Sequence, residues 1–191
     1  MSLIDFAETY NHSSLDRSPS LTDGRYLLMI DNIVTTTSKH AGDFVHVNFR
    51  VQKSEDMEYP DSSWLFGGKK PESGFPAAIK PEMAAHLSFN QKEEYQMANF
   101  FKLVGALEPS FVGTPEEQKA NATISDATKT KRKKILKEID SEAQPHRGRL
   151  LKATLGRTKA KGSGNPYRTM SFELEPLTAE QLKENRAELD G

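Results

Sequence analysis

The chain has 191 residues, a formal net charge of −1 and no cysteine, which excludes disulfides, thiolate chemistry and cysteine-rich zinc sites. Its length allows one ordinary domain with additions. It contains no run of 18 apolar residues, and its first residues lack a basic start followed by an apolar stretch, so we expect no membrane span, no secretory signal and a cytoplasmic location.

The first part of the chain predicts an N-terminal arm followed by three strands. Residues 1–23 are polar and predict a flexible arm. The apolar, β-branched stretch GRYLLMIDNIVTTT (24–37) predicts a first strand, and the strictly alternating DFVHVNFRV (43–51) predicts a second. SSWLFGG (62–68) predicts a short third strand. The core face of the second strand is predicted to hold Val45, Val47, Phe49 and Val51.

A helical insert is predicted at about residues 77–143. Pro81 suits a first helical turn, and apolar residues recur at helical spacing up to Leu107. Residues 114–143 predict one or two polar helices that begin at TPEEQ, with Thr114 as the cap. The buried residues of the first helix are predicted to be Met83, Leu87, Tyr95, Phe100, Leu103 and Val104.

Two more strands are predicted after the insert, in RGRLLKATLGRTKA (147–160) and YRTMSFELEPL (167–177), and residues 178–191 predict a tail or short helix. Five strands with a helix between the third and fourth is the order of the OB-fold, a partly open barrel that binds oligonucleotides and oligosaccharides. We therefore predict a mainly β protein with helical insertions, folded as a five-stranded OB-fold barrel over residues 24–177. An unrelated α+β sandwich is the structural alternative.

No catalytic motif is present. The chain has no GxxxxGK[ST] loop, no GxSxG elbow and no HExxH, and its five histidines are far apart. We therefore expect no enzyme activity, no metal and no cofactor. Asp31, Asp43 and Glu173 could converge from strand ends, which leaves a small metal-dependent nuclease as an alternative.

The charge distribution favours a polyanionic partner. Residues 129–168 hold 13 basic and 3 acidic side chains, a density that attracts polyanions, although a solvated lysine-rich helix explains residues 129–137 equally well. Single-stranded nucleic acids are held by such basic grooves together with aromatic stacking platforms. The predicted nucleic-acid-binding residues are Phe44, His46, Asn48, Arg50, Trp64, Lys69, Lys70, Arg149, Lys152, Arg157, Lys159, Lys161, Tyr167 and Arg168.

The four residues from the second strand are predicted on its outer face, where Phe44 offers a ring and Arg50 a planar cation. The structural alternative is that Phe44 packs under another element and that Arg50 meets an acidic neighbour. Trp64 suits half-buried packing at least as well as base stacking.

Two long phrases resemble a known family. GRYLLMIDNIVTTTSKHAGDFVHVNFRV resembles the opening of phage-encoded OB-fold single-stranded DNA-binding proteins, with Gly-x-Tyr, a strand, a short turn and an alternating strand. HRGRLLKATLGRTKAKGSGNPYRTMSFEL is similar to their closing hairpin, and FFKLVGAL to the helix end before it. The resemblance implies a non-catalytic protein of phage DNA replication or recombination that coats single strands in the host cytoplasm.

The resemblance also bears on partners. Many family members carry an acidic C-terminal tail that recruits replication proteins and competes with DNA; here the tail is interrupted by Lys183 and Arg186, which favours a packed helix. RNA is an alternative ligand, and a homo-oligomer is allowed. The alternative functions are a virion or assembly protein that uses the barrel for protein contacts, and the metal-dependent nuclease.

Overall fold

The computed structural model describes residues 18–38, 42–59, 64–68, 72, 76–159 and 166–191. Within these ranges the chain forms five strands, three α-helices and two short 3₁₀ helices, at Leu65–Gly68 and Pro109–Phe111. The strands are β1 (Gly24–Ser38), β2 (Gly42–Glu55), β3 (Ala84–Asn90), β4 (Leu150–Thr158) and β5 (Tyr167–Glu175). The α-helices are α1 (Glu94–Leu107), α2 (Asp126–Ile139) and α3 (Ala179–Asp190).

The strands form one antiparallel sheet in the order β3-β2-β1-β4-β5. β1 pairs with β2 from Arg25 to Ser38 and with β4 from Gly24 to Met29. No backbone pairing joins β3 to β5 within the described ranges, so hydrogen bonds do not close the sheet into a barrel. The predicted mainly β class is confirmed, and α1 and α2 lie between the third and fourth strands.

The second strand follows its sequence pattern closely. The predicted core residues Val45, Val47, Phe49 and Val51 are at most 6% exposed, and the residues between them are half-buried. This alternation arises because successive side chains of a strand point to opposite faces of the sheet. The core residues pack against Leu103, Val104 and other buried residues in one hydrophobic cluster.

The third strand was predicted in the wrong place. Ser62 and Ser63 lie outside the described residues, and the rest of SSWLFGG forms a turn and the first 3₁₀ helix. β3 instead lies in the region predicted as helix, and its Ala85, Leu87 and Phe89 are buried. Cross-strand pairing with β2, from Phe44↔Asn90 to Arg50↔Ala84, fixes this segment as a strand.

The first helix is correspondingly shorter than predicted and begins at Glu94. Phe100, Leu103 and Val104 are buried as predicted, whereas Met83 and Tyr95 are 45% and 58% exposed, so the prediction that these two are buried is wrong. Tyr95 lies on the side of α1 that faces away from the core.

The stretch TPEEQ does not begin a helix; residues 115–121 form turns, and α2 begins at Asp126 after its cap Ser125. The Glu117 carboxylate accepts hydrogen bonds from the backbone N–H groups of Thr114 and Ser125 (2.8 and 2.7 Å) and from the Thr128 hydroxyl (2.8 Å). These hydrogen bonds, with Ser125 first, lower the pKa of Glu117 to about 2. Glu117 therefore ties the turns to the start of α2.

The arm predicted for residues 1–23 is outside the described residues up to residue 17. From Ser18 onward the chain is bound to the sheet. The Leu21 N–H donates to the carbonyl oxygen of His86 (2.9 Å), and the His86 N–H donates to that of Pro19 (3.0 Å). The Arg168 guanidinium, on β5, donates to the carbonyl oxygen of Leu21. Residues 19–21 therefore contact both outermost strands of the sheet.

The C-terminal segment is a helix, α3, capped at Thr178 by a reciprocal bond with Gln181. It packs onto the segment before β4, where Arg147 Nη1 lies 2.6 Å from Asp190 Oδ1 and Asn185 Nδ2 donates to the carbonyl oxygen of Gly148 (2.8 Å). No helix in the described ranges combines the length and the apolar character needed to cross a membrane.

Candidate nucleic-acid interface

A cavity of about 620 Å³ opens between α1 and the β4–β5 hairpin. We call it the tyrosine cavity, because Tyr95 from α1 and Tyr167 from β5 line it and are 58% and 57% exposed. Its other lining residues are Ala98, Asn99, Lys102, Arg157, Pro166 and Arg168.

The helical side of the cavity follows from the period of α1. Tyr95, Ala98, Asn99 and Lys102 stand at positions i, i+3, i+4 and i+7, which share one face of a helix. The Lys102 Nζ donates to Asn99 Oδ1 (3.2 Å), which holds its charge at the cavity. The opposite face of α1 packs in the core, so this stripe is directed towards the hairpin.

Two of the lining arginines share one buried carboxylate, that of Asp23. Arg157 Nε donates to Asp23 Oδ2 (2.8 Å), and Arg168 Nε lies 3.9 Å from Asp23 Oδ1. The Tyr59 hydroxyl also donates to Asp23 Oδ2 (2.8 Å). Burial, and then this hydrogen bond, raise the pKa of Tyr59 to about 12, so the phenol stays protonated.

The cavity consequently carries an excess of positive charge. Arg157, Arg168 and Lys102 contribute three cations, and the described residues of the lining include no carboxylate; the one carboxylate of Asp23 pairs with Arg157 and Arg168. Burial lowers the pKa of Arg168 from its ordinary value, but a guanidinium in a protein keeps its charge near neutral pH. A ligand with negative charge and flat rings is the chemical complement of two exposed phenol rings beside this excess.

The outer face of β2 is arranged differently. His46 bonds Ser88 Oγ (2.6 Å) and Thr36 Oγ1 (2.9 Å), and its ring stacks with Phe44 at a centroid distance of 6.0 Å. Asn48 Nδ2 donates to Asn32 Oδ1 (2.6 Å). These side chains are half-buried, and their polar groups bond to side chains of the neighbouring strands β1 and β3.

Arg50, the last residue predicted on this face, contacts α3. Its Nη1 donates to the carbonyl oxygen of Glu188 (3.2 Å) and lies 3.3 Å from Glu188 Oε1. The acidic neighbour considered for Arg50 is therefore present, and α3 lies beside this end of the β2 face. The binding role predicted for Phe44, His46, Asn48 and Arg50 stays a prediction.

The other predicted residues are dispersed. Trp64 is half-buried edge-to-face against Tyr59 (6.0 Å), and Arg149 Nη1 donates to the carbonyl oxygen of Leu107 (3.3 Å). Lys152 pairs with Glu175 across the sheet, which raises the pKa of the lysine, and Lys159 is exposed. The residues outside the described part of the chain are Lys69, Lys70 and Lys161.

Among the predicted binding residues that the structure describes, Arg157, Tyr167 and Arg168 line the tyrosine cavity and the others do not. Tyr95 and Lys102 were missed, since Tyr95 was assigned to the core and Lys102 was not singled out. The available signal was their spacing with Asn99 on one helical face. That signal identifies a site only once the packing of α1 beside β5 is known.

The basic helix α2 adds a second positive surface. Lys131, Lys133, Lys134 and Lys137 are exposed, and none forms an ion pair with a described residue. Lys129 pairs with Asp126 (3.2 Å) at the first turn. The lysine-rich helix considered for residues 129–137 is thus a solvated face, and it remains able to attract a polyanion.

No group of three His, Cys, Asp or Glu side chains in the described ranges could hold a metal ion. Asp31, Asp43 and Glu173 lie in different places: Asp31 is 3.5 Å from Arg147 Nε, Asp43 stands opposite Thr37 in the β1–β2 ladder and Glu173 stands opposite Lys152 in the β4–β5 ladder. The structure does not bring these three carboxylates together.

Comparisons of the chain with protein-family models, with curated proteins and with solved structures find no match. A function therefore has to be inferred from the chemistry of the surfaces. The tyrosine cavity combines exposed aromatic rings with excess positive charge, and this pairing is the most informative feature of the described residues.

Proposed function

We propose that the protein is a sequence-tolerant single-stranded DNA-binding protein without catalytic activity, and that the tyrosine cavity is part of its binding groove. The observation that carries this proposal is the pair of exposed rings, Tyr95 and Tyr167, beside Lys102, Arg157 and Arg168. Bases stack on the phenol rings, and phosphates contact the cations. RNA is the alternative ligand of the same groove.

The proposal includes an OB-type barrel. The order β3-β2-β1-β4-β5, with β1 shared between β2 and β4 and helices between β3 and β4, supports it. In this reading residues 19–21 bridge the β3–β5 seam. The sequence resemblance supports a role in phage DNA replication or recombination, in the host cytoplasm.

A fluorescence anisotropy titration with labelled oligo(dT), at about 50 mM and about 200 mM salt, tests the proposal. Wild-type affinity is expected to fall with salt, with a slope of roughly 0.7 per phosphate contact. Tyr167→Ala is expected to weaken binding by about 5- to 150-fold, the equivalent of about 1 to 3 kcal/mol for one stacked base. Because a lost stacking contact releases no counterion, the slope stays unchanged.

Lys102→Gln is expected to change the salt dependence of binding, which Tyr167→Ala leaves unchanged. Removing one phosphate contact lowers the salt slope by roughly 0.7 and weakens binding mainly at low salt. Met83→Ala removes another exposed apolar side chain, 45% exposed and outside the cavity lining, and serves as the matched control with unchanged binding. Wild-type protein that does not bind at micromolar concentration in low salt would refute the proposal.

Phe44→Ala and Arg50→Ala test the other predicted surface in the same titration. Equal or larger losses in these two variants, with Tyr167→Ala unaffected, would place the groove on the outer face of β2. Circular dichroism of every variant is needed, because Arg50 also holds α3 through Glu188.

One observation favours the alternative of an assembly protein: a mostly apolar groove between α1 and α2, which borders the tyrosine cavity at Ala98 and Lys102. Protein docking suits such a surface better than DNA binding does. Size-exclusion chromatography with light scattering, combined with indifference to oligo(dT), would support this alternative.

A further inference from the structure

A second cavity, of about 690 Å³, lies between α1, the second 3₁₀ helix, α2 and β5. We call it the apolar groove, because Phe101, Phe111, Val112, Leu136, Met170 and Phe172 line it. Phe101 and Val112 are 38% and 37% exposed, although both are large apolar side chains. Its described lining residues include two cations, Lys102 and Arg132, and no carboxylate. An apolar surface of this kind marks a docking site.

The groove is held in shape by its own residues. Arg132 Nε donates to the carbonyl oxygen of Phe111 (2.7 Å) and Arg132 Nη2 to that of Val112 (3.1 Å), and the guanidinium lies 5.4 Å from the centroid of the Phe111 ring. Phe101 and Phe111 contact each other at a centroid distance of 5.4 Å. An occupant therefore binds without first ordering the groove, which lowers the entropic cost of docking.

The sequence of the chain contains a segment with the complementary pattern. In SLIDFAETY (2–10), Leu3, Phe6, Ala7 and Tyr10 stand at i, i+3, i+4 and i+7, the apolar stripe of an amphipathic helix. Ser2 followed by Asp5 fits a capping box. Asp5 and Glu8 lie on the opposite side of the helix from this stripe, where a docked helix would expose them to water. This segment lies outside the described residues.

The point at which residues 2–10 join the described part of the chain is close enough for them to reach the apolar groove. The His86 Nδ1 donates to the carbonyl oxygen of Ser18 (2.6 Å), so the chain enters the described part at β3, and Arg168 binds the carbonyl oxygen of Leu21. Met170 of the groove is two residues from Arg168 along β5. The seven residues 11–17 span up to about 23 Å, roughly twice the diameter of the helix α1 that lies between β3 and β5.

We propose that residues 2–10 dock as an amphipathic helix in the apolar groove of the same chain, with the stripe of Leu3, Phe6, Ala7 and Tyr10 packed against the rings that line the groove. This docking is a property of the folded chain and does not depend on nucleic-acid binding. The groove would otherwise leave Phe101 and Val112 in water.

The absence of cysteine from the chain allows a clean test by disulfide trapping. The full-length Ala7→Cys/Val112→Cys variant is expected to form an intramolecular disulfide under mild oxidation at least tenfold faster than the control, because a disulfide requires Cα atoms within about 7 Å. The control pair is Ala7→Cys/Thr154→Cys, whose second site is exposed on β4, outside the groove lining. Non-reducing gels and mass spectrometry identify the products.

A third substitution in the reactive pair tests the helical stripe. Phe6→Asp is expected to lower the rate to that of the control pair, whereas Thr9→Asp, which adds the same charge on the other side of the helix, leaves it unchanged. A rate in the first pair no faster than the control overturns the proposal. An intermolecular disulfide also overturns it, and shows that the segment of a second copy occupies the groove.

Discussion

Replacing Asp23 by Asn removes the carboxylate shared by Arg157, Arg168 and Tyr59. Asp23 is 4% exposed, and its oxygens lie 2.8 Å from Arg157 Nε and 3.9 Å from Arg168 Nε. The amide oxygen of asparagine can still accept the Tyr59 hydrogen bond, so the substitution acts mainly on charge. Two neighbouring guanidinium groups then lose the anion that separates them.

The expected loss of stability can be bracketed. Breaking a buried ion pair by removing one partner costs about 3 to 5 kcal/mol, because the remaining charge stays desolvated. The side chains of Arg157 and Arg168 are 30% and 27% exposed, so water partly solvates them. We therefore expect the lower end, about 3 kcal/mol, which corresponds to a fall in Tm of about 6 to 12 °C for a chain of this size.

Urea unfolding followed by circular dichroism measures this loss. The matched control is Glu55→Gln, which breaks the Arg25–Glu55 pair (3.5 Å), whose side chains are 58% and 70% exposed. An exposed pair of this kind is worth about 0 to 1 kcal/mol. If Asp23→Asn costs no more than Glu55→Gln, the carboxylate does not balance the two arginines and the reasoning about the charge of the tyrosine cavity fails.

Two further predictions concern His146 and Gly148. Burial, and then Arg149, lower the pKa of His146 to about 4, so its contact with Glu108 (3.6 Å) is with a neutral ring near pH 7. Because the unfolded chain binds this proton near pH 6.5, the free energy of unfolding decreases as the pH is lowered, by about 2 kcal/mol from about pH 7 to about pH 5. In urea unfolding, His146→Leu should lack this part of the pH dependence, and an unchanged pH dependence in the variant would contradict the prediction. Gly148 has a φ of +82°, and a Cβ there would lie 2.9 Å from Arg186 Cγ; Gly148→Ala is expected to cost about 1 to 3 kcal/mol in urea unfolding. Gly67→Ala has similar strain, with a φ of +66°, but no atom within 4 Å of its Cβ, so equal losses in both variants would show that contact with α3 adds nothing.

The strands that could be predicted are those whose pattern is local and unambiguous. β2 alternates strictly over Val45 to Val51, and its burial follows this alternation. β3 shows the same alternation in Ala85, Leu87 and Phe89, but over only seven residues, beside a proline and before a true helix. Pairing with β2, which is distant in sequence, decides that this segment is a strand. From the sequence alone, the apolar residues of the segment fitted a helical pattern equally well.

Only the residues that the β4–β5 hairpin contributes to the tyrosine cavity could be predicted from the sequence. Arg157, Tyr167 and Arg168 belong to one hairpin, whose basic and aromatic composition is visible in the sequence. Tyr95 and Lys102 come from a helix whose position beside β5 depends on long-range packing. In the sequence, an exposed tyrosine on an amphipathic helix resembles a core residue if the boundary of the buried face is placed one residue too far.

The segment that binds His86 also bears on how the protein avoids self-association. An outermost strand such as β3 presents unpaired N–H and C=O groups, a template on which a strand from another molecule can add. Residues 19–21 occupy the two backbone groups of His86, and Pro19 has no N–H with which to extend this pairing further along β3. This short segment thus covers part of the free edge of β3, and a strand from another molecule cannot pair with the sheet at His86.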